Sequence, residues 1–236
     1  MPPTPLEEEN NHNIRVVLTG GPGGGKTTAA DLFRREIGER VVVVPESASV
    51  LFTGGLPRVD EPHAQCAAQS AIYHLQRSLE LIQSSLYPHR ILLCDRGTVD
   101  GAVYWPEDSG DFFEKMGTTF QEELSRYDAV IFFESAAVGD MSIETGNPAR
   151  IESNEEAVVL DRKLRRLWSQ HPNFTFVPHN PSFFKKITAG LAIMESIVGQ
   201  LTHAREDRRE AEAGDGGGGR RRRRRPATEG EAGDGG

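Results

Sequence analysis

The sequence predicts a three-layer α/β fold, about five mostly parallel strands flanked by helices. Three observations predict it. Short apolar runs alternate with longer segments of helical periodicity, the pattern of repeated βαβ units. A glycine-rich octapeptide, Gly20, Gly21, Pro22, Gly23, Gly24, Gly25, Lys26 and Thr27, joins the first run to the first helical segment. The third apolar run ends at an acid, Asp95, and a second acid, Glu46, follows closely behind the second run.

Taken in order, residues 1–13 are acidic and proline-rich and read as a flexible leader. The strands are predicted over 14–19, 41–44, 91–94, 129–133 and 174–177, each rich in β-branched or aromatic residues. The first helix begins at the end of the octapeptide with the stretch TAADLFRREI. Residues 47–62 carry Gly54, Gly55 and two prolines, which predicts a mobile loop. Ala64, Ala68, Ala71, Leu75, Leu79, Ile82 and Leu86 then recur at three- and four-residue spacing, predicting a long amphipathic helix whose apolar stripe faces the core. Further helices are expected over 120–126, 155–170 and 183–201. From 203 onward the chain is dense in charge and glycine and low in apolar residues, so it is expected to be disordered. One domain over 14–202 results.

Composition narrows the function classes. Lys and Arg total 27 against 35 Asp and Glu, a formal charge of -8, so the chain as a whole has no electrostatic preference for nucleic acid or an anionic membrane. The local exception is the run Arg220, Arg221, Arg222, Arg223, Arg224 and Arg225. It could meet RNA, acidic protein or anionic lipid, act as a nuclear localisation signal, or remain a solvated tail, since acidic residues flank it on both sides. The two cysteines, Cys66 and Cys94, lack zinc-like spacing and read as reduced thiols. No apolar run reaches membrane-spanning length and the first residues are unlike a secretory leader, so the cytoplasm is the expected location.

The octapeptide matches G-x-x-x-x-G-K-[ST] between a strand and a helix, the context that identifies a phosphate-binding loop. Its glycines let successive N–H groups turn inward around a polyphosphate, and the helix that follows adds its positive end. Lys26 is expected to reach the β- and γ-phosphates, and Thr27 to ligate a phosphate-bound Mg²⁺, with Thr28 beside it in the nucleotide site. Asp95, at the end of a buried strand, has the position of a carboxylate that holds the same Mg²⁺. The nucleotide is read as ATP, with GTP left open; no N-K-x-D guanine-reading motif occurs. Glu46 at the second strand end could accept a proton from an attacking hydroxyl, or cap the turn after Pro45. Arg58 could meet an anionic substrate or be a solvated surface residue. Asp100, Tyr104 and Trp105 could line an acceptor pocket, core packing being the alternative for the two aromatic residues.

Asp95-Arg96, where motor ATPases place a Glu after the acid, resembles the pair of nucleoside and nucleotide kinases. That resemblance implies that Arg96 neutralises charge on the transferred phosphoryl group, a structural ion pair being the other reading. It also implies that Glu46 serves the acceptor hydroxyl, as the Glu after the second strand does in deoxynucleoside kinases. Kinases of this class place a lid between their fourth and fifth strands, which makes Arg150 the candidate lid arginine, with Arg162, Arg165 and Arg166 as rivals. The segment PHNPSFF after the fifth run lies where such kinases contact the nucleotide base.

More widely, VLTGGPGGGKTT, VVPES, CDRGTVDG, YDAVIFFES and FVPHNPSF together resemble the AAA-like, kinase-type domain shared by NadR-type proteins of NAD metabolism and the TRPL-translocation-defect protein. The resemblance covers about residues 14–200 and implies a P-loop kinase-like fold, nucleotide binding and phosphoryl transfer to a small hydroxyl-bearing metabolite, nucleoside-like or NAD-related. The second domains of those relatives are absent from this sequence, so their whole-protein functions do not follow. A nucleotide-binding switch or scaffold without metabolite kinase activity is the alternative, and RNA binding through the arginine run a third possibility.

Overall fold

The computed structural model describes residues 13–139 and 153–215, without the side chains of 205–215. The chain divides into two units, 1–199 and 200–236, and the sheet and site belong to the first. Five strands, β1 (Arg15–Thr19), β2 (Val41–Val44), β3 (Ile91–Asp95), β4 (Ala129–Phe133) and β5 (Phe174–Val177), form one all-parallel sheet in the order β2-β3-β1-β4-β5. The helices are α1 (Lys26–Ile37), α2 (Ser47–Thr53), α3 (Pro62–Leu86), α4 (Phe112–Lys115), α5 (Phe120–Ser125), α6 (Asn154–Trp168) and α7 (Phe183–Asp215).

Strands β3 and β4 are buried at every residue, which explains why they read as unbroken apolar runs: a parallel sheet is covered on both faces. Alternation sends Val17, Leu92, Cys94, Val130 and Phe132 to one face, where they pack with Tyr73, Tyr127, Leu164 and Trp168 from α3, α6 and the turn before β4. On the other face Phe133 meets Phe33 of α1, and a side chain at Gly190 of α7 would collide with the Phe133 ring and press on that of Phe33. Leu18 of β1 pairs with Asp95 of β3, so the loops leaving β1 and β3 emerge side by side. Beside β1 the chain reverses its direction of travel across the sheet, and ligands of open parallel sheets bind outside the strand ends at that point.

Four expectations need correction. The leader boundary at residue 13 is too late: Asn13 is fully buried, its amide donating to the carbonyls of Tyr87 and Arg90 and its oxygen accepting from Ser84, which anchors the chain as it enters β1. The expected loop 47–62 begins as α2, whose first turn forms when Val50 N donates to the Glu46 carbonyl and which stops at Gly54. The stripe of α3 is its core face only in part, through Ala68 and Leu79. Ala71 is exposed, Ile82 and Leu86 are 51% and 63% exposed, and the buried positions are Ala68, Gln69, Tyr73, Gln76 and Glu80. A helix facing a polar cavity and an ionic cluster buries polar side chains, so its hydrophobic period misreports its inner face. Finally, α7 continues past 203 to Asp215, because Arg, Glu and Ala in that stretch are strong helix formers.

Candidate functional site

The loop from Gly20 to Thr27 turns between β1 and α1. Gly25 caps α1 with φ +88°, a conformation that costs a side-chain-bearing residue about 1–2 kcal/mol. Lys26 folds back over the loop, its Nζ donating to the carbonyls of Gly20 and Gly21 at 2.9 and 2.8 Å. Burial, reinforced by Arg96, pushes this ammonium down to about 7 despite the carboxylates of Asp95, Glu46 and Asp100. An ammonium in this position is deficient in anionic partners.

Beside the loop, the strand ends bring two acids and an arginine together. Thr27 Oγ1 donates to Asp95 Oδ2 at 2.7 Å. Glu46 accepts from Arg96 Nε on one oxygen and from Ser49 Oγ on the other. Arg96 Nη1 reaches Asp100 Oδ2 at 2.9 Å, and Asp100 Oδ1 accepts from Thr19 Oγ1 and Trp168 Nε1. The two carboxyls nearest the loop are driven apart. Burial and Glu46 push Asp95 up, against Lys26 and Thr27. For Glu46, burial pushes upward but Arg96, Ser49 and Lys26 outweigh it and hold the group below the usual carboxylate range. Two carboxyls with diverging proton affinities mark a site in which one stays ionised. Arg96 also has φ +69°, alone among the described non-glycine residues, and left-handed backbone outside glycine clusters at functional sites.

A cavity of about 590 Å³ opens over these groups. Residues 22–28, Glu46, Arg58, Arg96, Asp100 and Tyr104 all line it, together with Gln69, Tyr73 and Gln76 from the polar face of α3. Gly20 and Gly21 lie behind the loop wall as the carbonyls that Lys26 grips, and Asp95 sits behind Thr27. Trp105 belongs to the packing instead: its ring stands edge-on to Phe112 and its Nε1 donates to the Gly110 carbonyl. Of the segment after β5, Phe183 reaches the cavity, and it also lines a second hollow of about 450 Å³ with Thr28, Asp31, Arg35 and Phe184. Arg165 lies over the Phe176 ring at 3.8 Å and 3.9 Å from Glu134, away from the cavity lining, and Arg162 and Arg166 are exposed. Arg150 and the six arginines from Arg220 to Arg225 lie outside the described residues.

Three residues support the loop; Ser135 closes the segment YDAVIFFES, while Asp161 and Lys186 lie in no motif and escape sequence reading. Asp161 of α6 is buried, and its Oδ1 accepts from Gly21 N at 2.9 Å and Ser135 N at 2.8 Å. A side chain at Gly21 would meet the Asp161 carboxyl at 2.7 Å, so this approach requires glycine there. Ser135 Oγ donates to the Pro22 carbonyl, and the buried Lys186 of α7 donates to the Gly24 carbonyl at 2.8 Å. Burial pushes Lys186 down to about 8, with Asp161 and Glu134 opposing. The only sequence signal for Asp161 is an acid at an inward position of an amphipathic helix.

The donor set suits Mg²⁺. Among the described residues no group of three His, Cys, Asp or Glu forms a closed metal cage, but Mg²⁺ takes one or two protein oxygens and fills its shell with phosphate and water. Asp95 Oδ1 is buried without a hydrogen-bond partner, next to the hydroxyl of Thr27. An orphaned carboxylate oxygen beside a hydroxyl is a fit for a hard cation, and it supplies the second partner that Asp95 lacks.

Comparison with known proteins identifies the fold and the family. No curated protein matches the sequence. Among solved structures, deoxyadenosine kinase from M. mycoides with bound dATP superposes with a TM-score of 0.56 at 16% identity, over 78% of this chain and 99% of that one. NadR protein in complex with NR superposes with a TM-score of 0.57 at 15% identity, over 80% of this chain and 53% of the other. The NadR complex with NAD and AMP-PNP gives 0.53 at 15% identity. At such identities the likeness shows the fold, that of P-loop kinases. A family model described as AAA domain matches residues 15–182, most of the chain. The matched span is more than half of the sequence, and this chain therefore belongs to that AAA domain family.

Proposed function

We propose that the protein transfers a phosphoryl group from ATP, or another nucleoside triphosphate, to a small hydroxyl-bearing acceptor. The observation that carries this reading is the Glu46–Arg96 pair facing the same cavity as the phosphate loop. An ionised carboxylate and a guanidinium at the strand ends beyond the phosphates stand where an acceptor hydroxyl and the transferred group would meet them. The loop N–H groups and Lys26 hold the polyphosphate; Lys26 exchanges two backbone carbonyls for phosphate oxygens, a charge-assisted and stronger contact. Thr27 and Asp95 would hold Mg²⁺, whose contribution is to neutralise charge developing between the phosphates.

Glu46, kept ionised by Arg96, orients the acceptor hydroxyl and accepts its proton as the oxygen attacks phosphorus. Arg96 is fixed by Asp100 and lies beside the loop, where it offsets negative charge on the moving group. Positioning supplies most of the rate in chemistry of this kind. Phe183, at the boundary of the two hollows, offers an aromatic face on which the nucleobase can stack. The two most similar structures described above are named as a nucleoside kinase and as NadR bound to NR, which supports an acceptor of nucleoside size.

The test is a panel of nucleosides, sugars and pyridine ribosides incubated with labelled ATP and Mg²⁺. Acceptor phosphorylation that falls at least about a hundredfold in Glu46→Gln, with ATP affinity retained, supports the reading. Nucleotide hydrolysis alone, with Glu46→Gln as active as the parent, refutes it and leaves the switch or scaffold.

A further inference from the structure

Three cations line the main cavity, and two are already committed. Lys26 grips its own loop, and Arg96 is spent between Glu46 and Asp100. The third, Arg58, pairs with no carboxylate among the described residues. It is exposed on the segment between α2 and α3, with its guanidinium carbon 4.1 Å from the centre of the Phe52 ring, another lining residue. Stacking occupies the face of a guanidinium and leaves its N–H edge free, the edge that grips oxyanions in bidentate fashion.

The anionic side chains lining the cavity, Glu46 and Asp100, are both satisfied by Arg96, so nothing in the lining balances Arg58. We propose that the acceptor itself carries a phosphate group and that Arg58 reads it. Phosphate is favoured over carboxylate because a contact at an exposed rim is weakened by water, and a dianion gains about twice what a monoanion does there. The inference rests on the kinase reading and deepens it: the acceptor is a phosphorylated metabolite with a free hydroxyl directed to Glu46 and its anion directed to Arg58.

The test uses the full chain saturated with Mg²⁺ and AMP-PNP, so that added ligands are confined to the acceptor half of the cavity. Adenosine, cytidine and ribose are titrated calorimetrically against the 3′- and 5′-monophosphates of the nucleosides and ribose 5-phosphate. The expected result is that at least one phosphate binds about tenfold or more tightly than its parent, the worth of one charge-assisted contact. Arg58→Gln should erase that margin, and Arg58→Lys should restore part of it. No margin, a margin that survives Arg58→Gln, or no binding of any probe overturns the proposal. A loss of AMP-PNP affinity in Arg58→Gln also overturns it, by assigning the arginine to the donor. The two readings fail separately: a neutral acceptor phosphorylated as well as its phosphate sinks only this inference, whereas absence of any phosphorylated acceptor sinks the kinase.

Discussion

Lys26 makes nucleotide binding a proton-coupled event. In the free protein the ammonium is buried, hemmed by Arg96 and partnered only by two carbonyls, and its affinity for a proton is lowered to about 7. A bound triphosphate surrounds the same group with negative oxygens and returns it toward its ordinary range near 10.4. Between these values the free protein lacks the proton that the complex needs. At pH 8 binding should take up about 0.9 proton from solution, since a group titrating at about 7 is roughly one-tenth protonated there.

The same argument fixes the affinity profile. From pH 6 to pH 9 the protonated fraction of Lys26 falls to about 1%, so the apparent Kd should weaken roughly a hundredfold, about 2.7 kcal/mol. Folding stability of the free protein moves the other way. The unfolded chain binds the extra proton above pH 7, so Lys26 adds stability as pH rises from about 7 to about 10.5. The assay is calorimetry of ATP with Mg²⁺ at pH 8 in buffers of different ionisation enthalpy, followed by Kd against pH. An inflection near 8 would assign the proton to Lys186 instead, the buried lysine of α7 that donates to the loop. A buffer-independent heat together with a flat Kd from pH 6 to 9 would refute the argument.

Asp161→Ala leaves two buried N–H groups, those of Gly21 and Ser135, without an acceptor; urea titration should show a loss of about 2–4 kcal/mol, and Asp161→Asn, which keeps an acceptor oxygen, should recover at least half of it. If Asp161→Ala unfolds at the parent's urea midpoint, the carboxylate is not holding the loop. Asp95→Asn should abolish most of the increase in ATP affinity produced by Mg²⁺ while sparing metal-free binding, and an unchanged Mg²⁺ dependence would remove Asp95 from the metal site. Glu80→Ala strips Arg126 of a fully buried partner and also leaves the Tyr127 hydroxyl without its acceptor; a cost of about 3–5 kcal/mol by chemical denaturation is expected, and a cost below about 1 would show that the cluster relaxes freely.

What could be read from the sequence follows the physics of each signal. Covered parallel strands are apolar on both faces, so β3 and β4 stand out, and the loop pattern survives because its glycines and lysine are each demanded by phosphate geometry. The placing of Asp95 and Glu46 beside the loop was legible because both follow apolar runs, and strand ends in this class of sheet lie together. The wall that faces them was not. Helix α3 carries an aliphatic stripe at helical spacing, yet Gln69, Tyr73, Gln76 and Glu80 point inward while Ile82 and Leu86 remain largely exposed. Periodicity detects the difference between oil and water, and here the inner face borders neither. It borders a polar cavity at one end and, at the other, a buried cluster in which Glu80 accepts from Arg126, Tyr127 and Gln76. The same blindness hid Asp161 and Lys186, whose partners are backbone atoms of the loop and therefore leave no complementary side chain in the sequence to pair them with. In this chain several buried polar residues that miss the hydrophobic period, Gln69 and Gln76 on the cavity and Asp161 and Lys186 on the loop, are the ones that complete the candidate site, so the loop pattern finds its phosphate side and leaves its opposite wall unread.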